Sequence, residues 1–385
     1  MATEQTKKNS SIRVAAAVLA SLIALAAVAL VVIRANDSVA ESESAADPFF
    51  GVVSQTSLTA EEVERMSEGK IGTLRFLVNW PTVDPTAYPD DYDWSAIDTI
   101  VSEAARYRID LLPFIFGTPI WVAQDLDDQD CEESECGLFA PRGDEAMQAW
   151  RSFIADLSAR YGPDGEFWAD NPELEARPIH NWQIWNEQNS ETFYQPEPSI
   201  SGYADLVSAA SAELREADPE AKVILGGMFG TPFRGDGPSI IAADYLRGLY
   251  EQPGFESEFD GVGVHPYAAQ LEGVEEQMTL LHDEMVASGD EDGEMWVTEI
   301  GWSSEEGDNP LQRGSEGQGE LMGEALGYFT SKRAEFNIAN VTWFAWRDLA
   351  GEPICAWCAE AGMFEAESLD AKPSWETMMA FTGGE

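Results

Sequence analysis

Basic side chains are scarce in this chain. Its 385 residues carry 22 lysines and arginines against 70 aspartates and glutamates, and only six of the 22 are lysine, for a formal net charge of −48. Binding nucleic acid requires a basic surface that neutralises phosphates, so a nucleic-acid partner is set aside. Histidine is scarcer still, at three residues with no H-x-x-x-H pair. Metal catalysis at a paired-histidine site is therefore not expected, and neither is any other metal or cofactor. No G-x-G-x-x-G follows the first apolar run, which argues against a dinucleotide-binding fold. There is no low-complexity block, no repeat at a period of 20–50 residues and no second linker. The acidic excess has two readings. It is a solvated surface that keeps the protein soluble, or an adaptation to high salt, where counterions screen the self-repulsion.

The longest uncharged apolar run lies at the N-terminus. Residues 1–13 include Lys7, Lys8 and Arg13, and residues 14–33 carry no charge. Twenty apolar residues span a bilayer as a helix, and basic residues before the span predict a cytoplasmic N-terminus. A cleaved signal peptide is the rival, with Ser38-Val39-Ala40 as a small-residue cleavage site. Either way the remainder is extracytoplasmic, anchored by the helix or released from it. Residues 34–47 read as a linker and residues 48–385 as one folded domain.

Four cysteines fall in two close pairs, Cys131/Cys136 and Cys355/Cys358. Export favours disulfides over a four-cysteine zinc site, although Cys355-Ala356-Trp357-Cys358 has zinc-ligand spacing. The pairing is not readable from the sequence. Asp125, Asp127, Asp128 and Asp130 invite a calcium reading. They lack the glycine at the sixth position and the acid at the twelfth that an EF-hand loop requires.

Eight apolar runs are each followed by polar residues and then by a helical pattern: 49–53, 72–78, 110–116, 179–184, 222–226, 261–265, 295–299 and 341–346. Continuous apolar runs of this length suit parallel strands buried on both faces. Amphipathic spacing recurs between them, as at Trp94, Ile97, Ile100 and Val101, or at Trp150, Phe153, Ile154 and Leu157. Eight such units predict a closed (β/α)8 barrel, an α/β fold of one domain.

In a barrel of this kind the C-terminal strand ends converge on the active face. Glu187 closes the fourth run, in Ile184-Trp185-Asn186-Glu187-Gln188-Asn189, and Glu299 the seventh, in Trp296-Val297-Thr298-Glu299-Ile300-Gly301-Trp302. Two carboxylates brought together are the minimum apparatus for hydrolysing a glycosidic bond. Arg75 lies inside an apolar run and needs an anionic partner. His265 and Tyr267 end the sixth run, and Asn186 is placed to donate to a sugar hydroxyl. Trp80, Trp121, Trp302, Trp343 and Trp346 lie at strand ends and supply candidate planes for sugar stacking.

These motifs resemble the clan of retaining (β/α)8-barrel glycoside hydrolases, most closely its family 39 and family 5 type members. Trp185-Asn186-Glu187-Gln188-Asn189 is similar to the family 39 style Trp-Asn-Glu-Pro-Asn. Thr298-Glu299-Ile300-Gly301-Trp302, the Arg75–Trp80 stretch, Phe116-Gly117-Thr118-Pro119 and Ala371-Lys372-Pro373-Ser374-Trp375 also fit. The resemblance spans residues 48–380. It implies Glu187 as acid/base and Glu299 as nucleophile, with Asn186 on the 2-hydroxyl. It also implies that Tyr267 and Arg75 steady Glu299, and that a strand-eight tryptophan floors the sugar site. Gln188 departs from the pattern, standing where proline is usual. The expected substrate is an oligo- or polysaccharide, and the expected state a monomer. A transglycosylase of the same fold and a non-catalytic carbohydrate-binding barrel are the alternatives.

Overall fold

The structure, a computed structural model, describes residues 46–87, 92–123, 136–230, 238–350, 355 and 357–384. The expected N-terminal segment at 1–13 and 14–33, most of the linker, and Cys131 lie outside the described residues. Among the described residues no helix is long and apolar enough to cross a membrane.

The described residues form nine strands, with helices between most of them: β1 (Phe50–Ser54), β2 (Thr73–Asn79), β3 (Asp110–Phe116), β4 (Asn181–Ile184), β5 (Lys222–Leu225), β6 (Met228–Phe229), β7 (Gly261–His265), β8 (Glu294–Ile300) and β9 (Ile338–Trp343). Every pairing between them is parallel, in the order β5-β4-β3-β2-β1-β9-β8-β7-β6. β5 also pairs with β7 at Ile224↔Gly261, while β6 pairs with β7 at Met228↔Val264. β5 and β6 are thus two pieces of one barrel strand, interrupted at Gly226-Gly227, and the sheet closes as an eight-stranded barrel.

The long helices between strands are α1 (Ala60–Glu68), α2 (Ser95–Tyr107), α3 (Asp144–Tyr161), α4 (Ile200–Ala217), α5 (Ala242–Tyr250), α6 (Leu271–Ala287), α7 (Gly314–Lys332) and α8 (Pro373–Thr382). Local sequence explains their ends. α1 starts on a capping box, in which the Thr59 hydroxyl accepts from the Glu62 N–H and the Glu62 carboxylate accepts from the Thr59 N–H. Asp144 and Glu145 place negative charge at the α3 N-terminus, where the helix dipole favours it. The apolar stripe of α3, Trp150, Phe153, Ile154, Leu157 and Tyr161, is fully buried against the barrel and its neighbours.

Inside the barrel, Leu112, Ile224 and Trp296 form an apolar layer from β3, β5 and β8, joined by Ala339. This is the alternate-strand layering of a filled barrel core. Each such side chain contributes about 1.5–3 kcal/mol by burial. Two residues further along β8 the interior turns polar.

Two departures from the sequence expectation bear on the site. The last strand runs Ile338–Trp343, earlier than the expected 341–346. The β8–β9 register also slips between Val297 and Ile300. Val297 pairs with Val341 and Ile300 with Trp343, so two residues of β8 stand opposite the single Thr342. This is a β-bulge, the device that re-aims a side chain at a barrel rim.

Candidate active site

The bulge delivers Glu299. In a regular strand Thr298 and Glu299 would face opposite sides. Here both reach the barrel interior: Thr298 contacts Gln183 and His265, and Glu299 contacts Arg75 and Tyr267. The end of β4 delivers Glu187 by other means. Trp185 and Glu187 adopt left-handed backbone, with φ of 71° and 45°. Such conformations cost about 1–3 kcal/mol each in non-glycine residues and persist only where surroundings impose them. Those surroundings are visible. The Trp185 N–H donates to the Ile115 carbonyl, and the Glu187 N–H to that of Gly227. The Trp185 indole donates to the Phe193 carbonyl. Gln188, the residue that replaces the usual proline, donates to the Gly226 carbonyl at 3.0 Å. Asn189 bonds Phe229 and Ile240. The segment is therefore strapped to the interrupted fifth barrel strand.

The structure brings together Arg75, Asn186, Glu187, His265, Tyr267 and Glu299 in one hydrogen-bonded group. Arg75, with 0% exposure, donates from three nitrogens: to Glu299 Oε1 at 2.6 Å, to Asn186 Oδ1 at 2.9 Å and to Gln183 Oε1 at 2.7 Å. Its guanidinium lies over the Phe114 ring, 4.0 Å from the centroid. The Tyr267 hydroxyl donates to Glu299 Oε2 at 2.9 Å. His265 Nδ1 lies 2.9 Å from Glu187 Oε1 and 3.6 Å from Glu299 Oε2. An oxygen of Glu187 and an oxygen of Glu299 lie within 4.8 Å of each other.

The two carboxyl pKa values are shifted in opposite directions. Burial raises the Glu187 pKa, and neighbouring Glu299 adds to this; His265 and Arg75 act against the rise without cancelling it. Burial pushes Glu299 upward too. There His265, Arg75 and Tyr267 outweigh it, and the Glu299 carboxyl is held below its ordinary value. Burial and the adjacent carboxylates push the Tyr267 phenol well above its usual range, so it stays a donor. Burial lowers the Arg75 pKa and Glu299 works against that. A guanidinium starts so high that it remains charged.

Glu187, His265 and Glu299 have the composition of a metal site. Both oxygens of Glu299 already accept from Arg75 and Tyr267, and a cation there would have to displace a buried guanidinium. The donor set is that of two hydrogen-bonded carboxyls.

With its oxygen committed to Arg75, Asn186 has its NH2 left to donate. Arg75 and His265 are without exposure, so they touch the carboxylates rather than a ligand. The tryptophans separate from this group. Trp80 is fully buried between Trp150 and Phe153, its indole donating to Asp84. Trp121 is half-buried and donates to the Asp84 carbonyl. Trp302 is fully buried and donates to the Ala268 carbonyl. Trp346 packs on Phe364 and Trp375 and donates to Glu62. Trp343 pairs in register with Val52 and Ile300 and shares their outer facing toward the helices. A fully buried ring offers no face to a sugar, so Trp80, Trp302, Trp343 and Trp346 are packing residues in this structure.

Two other aromatics stand beside Tyr267. Phe344, next after Trp343, lies 6.3 Å from the Tyr267 ring. Trp357 meets Tyr267 at 4.9 Å, edge to face, and Phe344 at 5.6 Å. Trp357 sits inside the turn closed by the Cys355–Cys358 disulfide, whose Cα atoms are 5.3 Å apart. Cys136 is also disulfide-bonded, and no described cysteine is free. Sequence reasoning missed Gln183, Thr298, Phe344 and Trp357. The first carried a signal, a glutamine between Trp182 and Ile184 of a buried strand.

No protein-family model matches this sequence, and no curated protein matches it. Solved structures do match. A family 39 glycoside hydrolase from the gut symbiont Bacteroides cellulosilyticus WH2 aligns over 88% of this chain and 64% of its own, with TM-score 0.61 and 16% identity. A family 39 β-xylosidase from Caulobacter crescentus aligns over 89% of this chain and 73% of its own, with TM-score 0.62 and 18% identity. The intracellular xylanase TsXylA of Thermoanaerobacterium saccharolyticum aligns over 88% of this chain and 99% of its own, with TM-score 0.54 and 16% identity. The chain thus spans just under two thirds of the Bacteroides protein and nearly all of the xylanase. These likenesses show the fold, an α/β barrel shared with family 39 glycoside hydrolases and xylanases.

Proposed function

We propose that this chain is a retaining O-glycoside hydrolase acting on oligo- or polysaccharides. One observation carries the reading: two buried glutamates with oxygens within 4.8 Å, one pushed toward the protonated form and the other held ionised. Retaining enzymes keep their carboxyls about 5–5.5 Å apart, while inverting ones leave about 6.5–9.5 Å for a water. An oxygen–oxygen approach within 4.8 Å supports the shorter, retaining separation.

Glu299 is the nucleophile. Arg75 and Tyr267 occupy its two oxygens and stabilise the carboxylate, which attacks the anomeric carbon as Glu187 protonates the departing oxygen. A glycosyl-enzyme forms on Glu299. Glu187, now ionised, takes a proton from water, and that water releases the sugar. The Asn186 NH2 is placed to donate to the 2-hydroxyl, a bond that strengthens in the oxocarbenium-like transition state. Phe344 and Trp357 keep 7% and 8% exposure beside Tyr267, so that, unlike the fully buried tryptophans, they can border the sugar ring. No cofactor enters these steps.

The net charge of −48 repels polyanions, so a neutral glycan is the better fit. The xylosidase and xylanase neighbours are named for such sugars. The disulfides suit an oxidising, extracytoplasmic compartment.

The test is turnover of an aryl glycoside panel, with the anomer of the first-formed product read by NMR. Retained configuration is expected. Inverted product refutes the mechanism, and binding without turnover across the panel refutes the enzyme.

A further inference from the structure

We propose that Gln183 and Thr298 are positioning residues that fix the tautomer of His265, and through it decide which oxygen of Glu187 carries the catalytic proton. The inference rests on the glycosidase reading for its consequence, but its geometry stands apart from it.

The chain of donors starts at Arg75. Its Nε–H donates to Gln183 Oε1 at 2.7 Å. This fixes the Gln183 amide, because the flipped amide would set N–H against N–H. The Gln183 NH2 then donates to the Leu225 carbonyl at 3.1 Å and to Thr298 Oγ1 at 3.0 Å. Both of its protons are used.

Thr298 Oγ1 has therefore accepted one hydrogen bond, and its own proton, buried with it, is costly to leave without an acceptor. Its remaining partner among the described residues is His265 Nε2, at 3.1 Å. A ring nitrogen that accepts a proton donor carries none itself. The imidazole is then neutral, with its hydrogen on Nδ1. Its Nδ1–H also lies 3.6 Å from Glu299 Oε2, and the Arg75 guanidinium supplies the charge opposite that carboxylate. Nδ1 faces Glu187 Oε1 at 2.9 Å and donates to it.

The consequence falls on Glu187. A protonated carboxyl has one hydroxyl and one carbonyl oxygen. Oε1, accepting from Nδ1–H, is the carbonyl oxygen, so the acid proton resides on Oε2. After glycosyl transfer the same bond persists, and Oε2 is the lone base for water. The other tautomer would reverse this. Nδ1 would become an acceptor, Glu187 would spend its proton on the histidine, and the leaving group would receive no direct donor. The sequence makes room for the arrangement at Gly227. A Cβ there would lie 1.9 Å from His265 Nε2 and 2.6 Å from Thr298 Oγ1.

The experiment is nitrogen-15 NMR of the histidine rings in the full-length protein near pH 7. Loss of signals in His180→Gln and His282→Gln variants leaves the His265 ring assigned. The expected pattern is a neutral ring protonated at Nδ1. A ring protonated at Nε2, or at both nitrogens, overturns the proposal whether or not the protein hydrolyses any glycoside. Wild-type inactivity with the Nδ1–H pattern present would refute the glycosidase reading instead. Thr298→Val supplies the kinetic arm. It should lower kcat about tenfold or more toward poor leaving groups and much less toward activated aryl groups, with KM little changed, because only the former need the acid. Thr298→Ser should restore both the spectrum and the rate. Equal losses for both leaving groups would mean a merely structural role and would overturn the assignment. If Thr298→Val does not fold, the wild-type spectrum decides alone.

Discussion

The ends of β4 and β8 present the same residue by different backbone means. At β4 two left-handed residues turn Asn186 and Glu187 inward, and at β8 a bulge puts Thr298 and Glu299 on one face. Their electrostatic settings differ more than their burial, which is 9% exposed for Glu187 and 8% for Glu299. Glu299 accepts from a guanidinium and a phenol, whereas Glu187 meets one imidazole nitrogen. Burial of a carboxyl disfavours its charge, and donors decide whether that is overcome. The two carboxyls are thus set apart by the donors and charges around each.

Removing the nucleophile is the most direct way to break this contrast. Glu299→Ala should lower kcat by about 10⁴-fold or more with every leaving group, since no glycosyl-enzyme can form. Steady-state rates across an aryl series check this, and a loss confined to poor leaving groups would exchange the two roles. Glu187→Ala should cost about 10²–10⁴-fold on poor leaving groups and far less in the first step for activated ones. A glycosyl-enzyme should then accumulate, visible as a burst.

The pH profile sharpens the contrast. Activity requires Glu299 ionised, hence a pH above its lowered pKa, and Glu187 protonated, hence a pH below its raised one. The kcat/KM profile should be bell-shaped, with its acid limb below 4.5, the ordinary glutamate value. Tyr267→Phe removes a donor to the Glu299 carboxylate and should move that acid limb upward, with a rate loss on the order of tenfold. An unmoved limb would free Glu299 from the assigned control.

The smallest effect lies at the aromatic wall. The Cys355–Cys358 disulfide holds the turn that carries Trp357 onto Tyr267. Cys358→Ser should raise KM by about threefold, with kcat little changed, because it relaxes binding rather than the carboxyl pair. A fall in kcat with KM unchanged would mean that Trp357 acts on Tyr267 and Glu299 instead.

Much of this architecture was legible in the sequence. Apolar runs located the barrel strands, and two of them, Asp110–Phe116 and Gly261–His265, have the bounds the runs suggest. Strand ends carrying glutamates located the chemistry, because a parallel barrel gathers those ends on one face. Facing was not legible. A single extra residue in β8 puts Thr298 beside Glu299, and nothing in Val297-Thr298-Glu299-Ile300 announces an insertion. The apolar stretch Trp343-Phe344-Ala345-Trp346 extended the expected last strand beyond its pairing and hid that Phe344, not Trp343, turns inward. Gly226-Gly227 reads as a strand end, yet Met228–Phe229 resumes the same barrel strand. Trp357 reaches Tyr267 through a turn whose path depends on tertiary closure, which periodicity does not encode.

The measurement that tests the account most directly is azide rescue of the two glutamate variants on an activated aryl glycoside. Azide needs no general base. Glu187→Ala should form the glycosyl-enzyme on Glu299 and release a glycosyl azide of retained configuration. Glu299→Ala should give no retained azide product. A retained azide from Glu299→Ala and none from Glu187→Ala would contradict the assignment of acid and nucleophile.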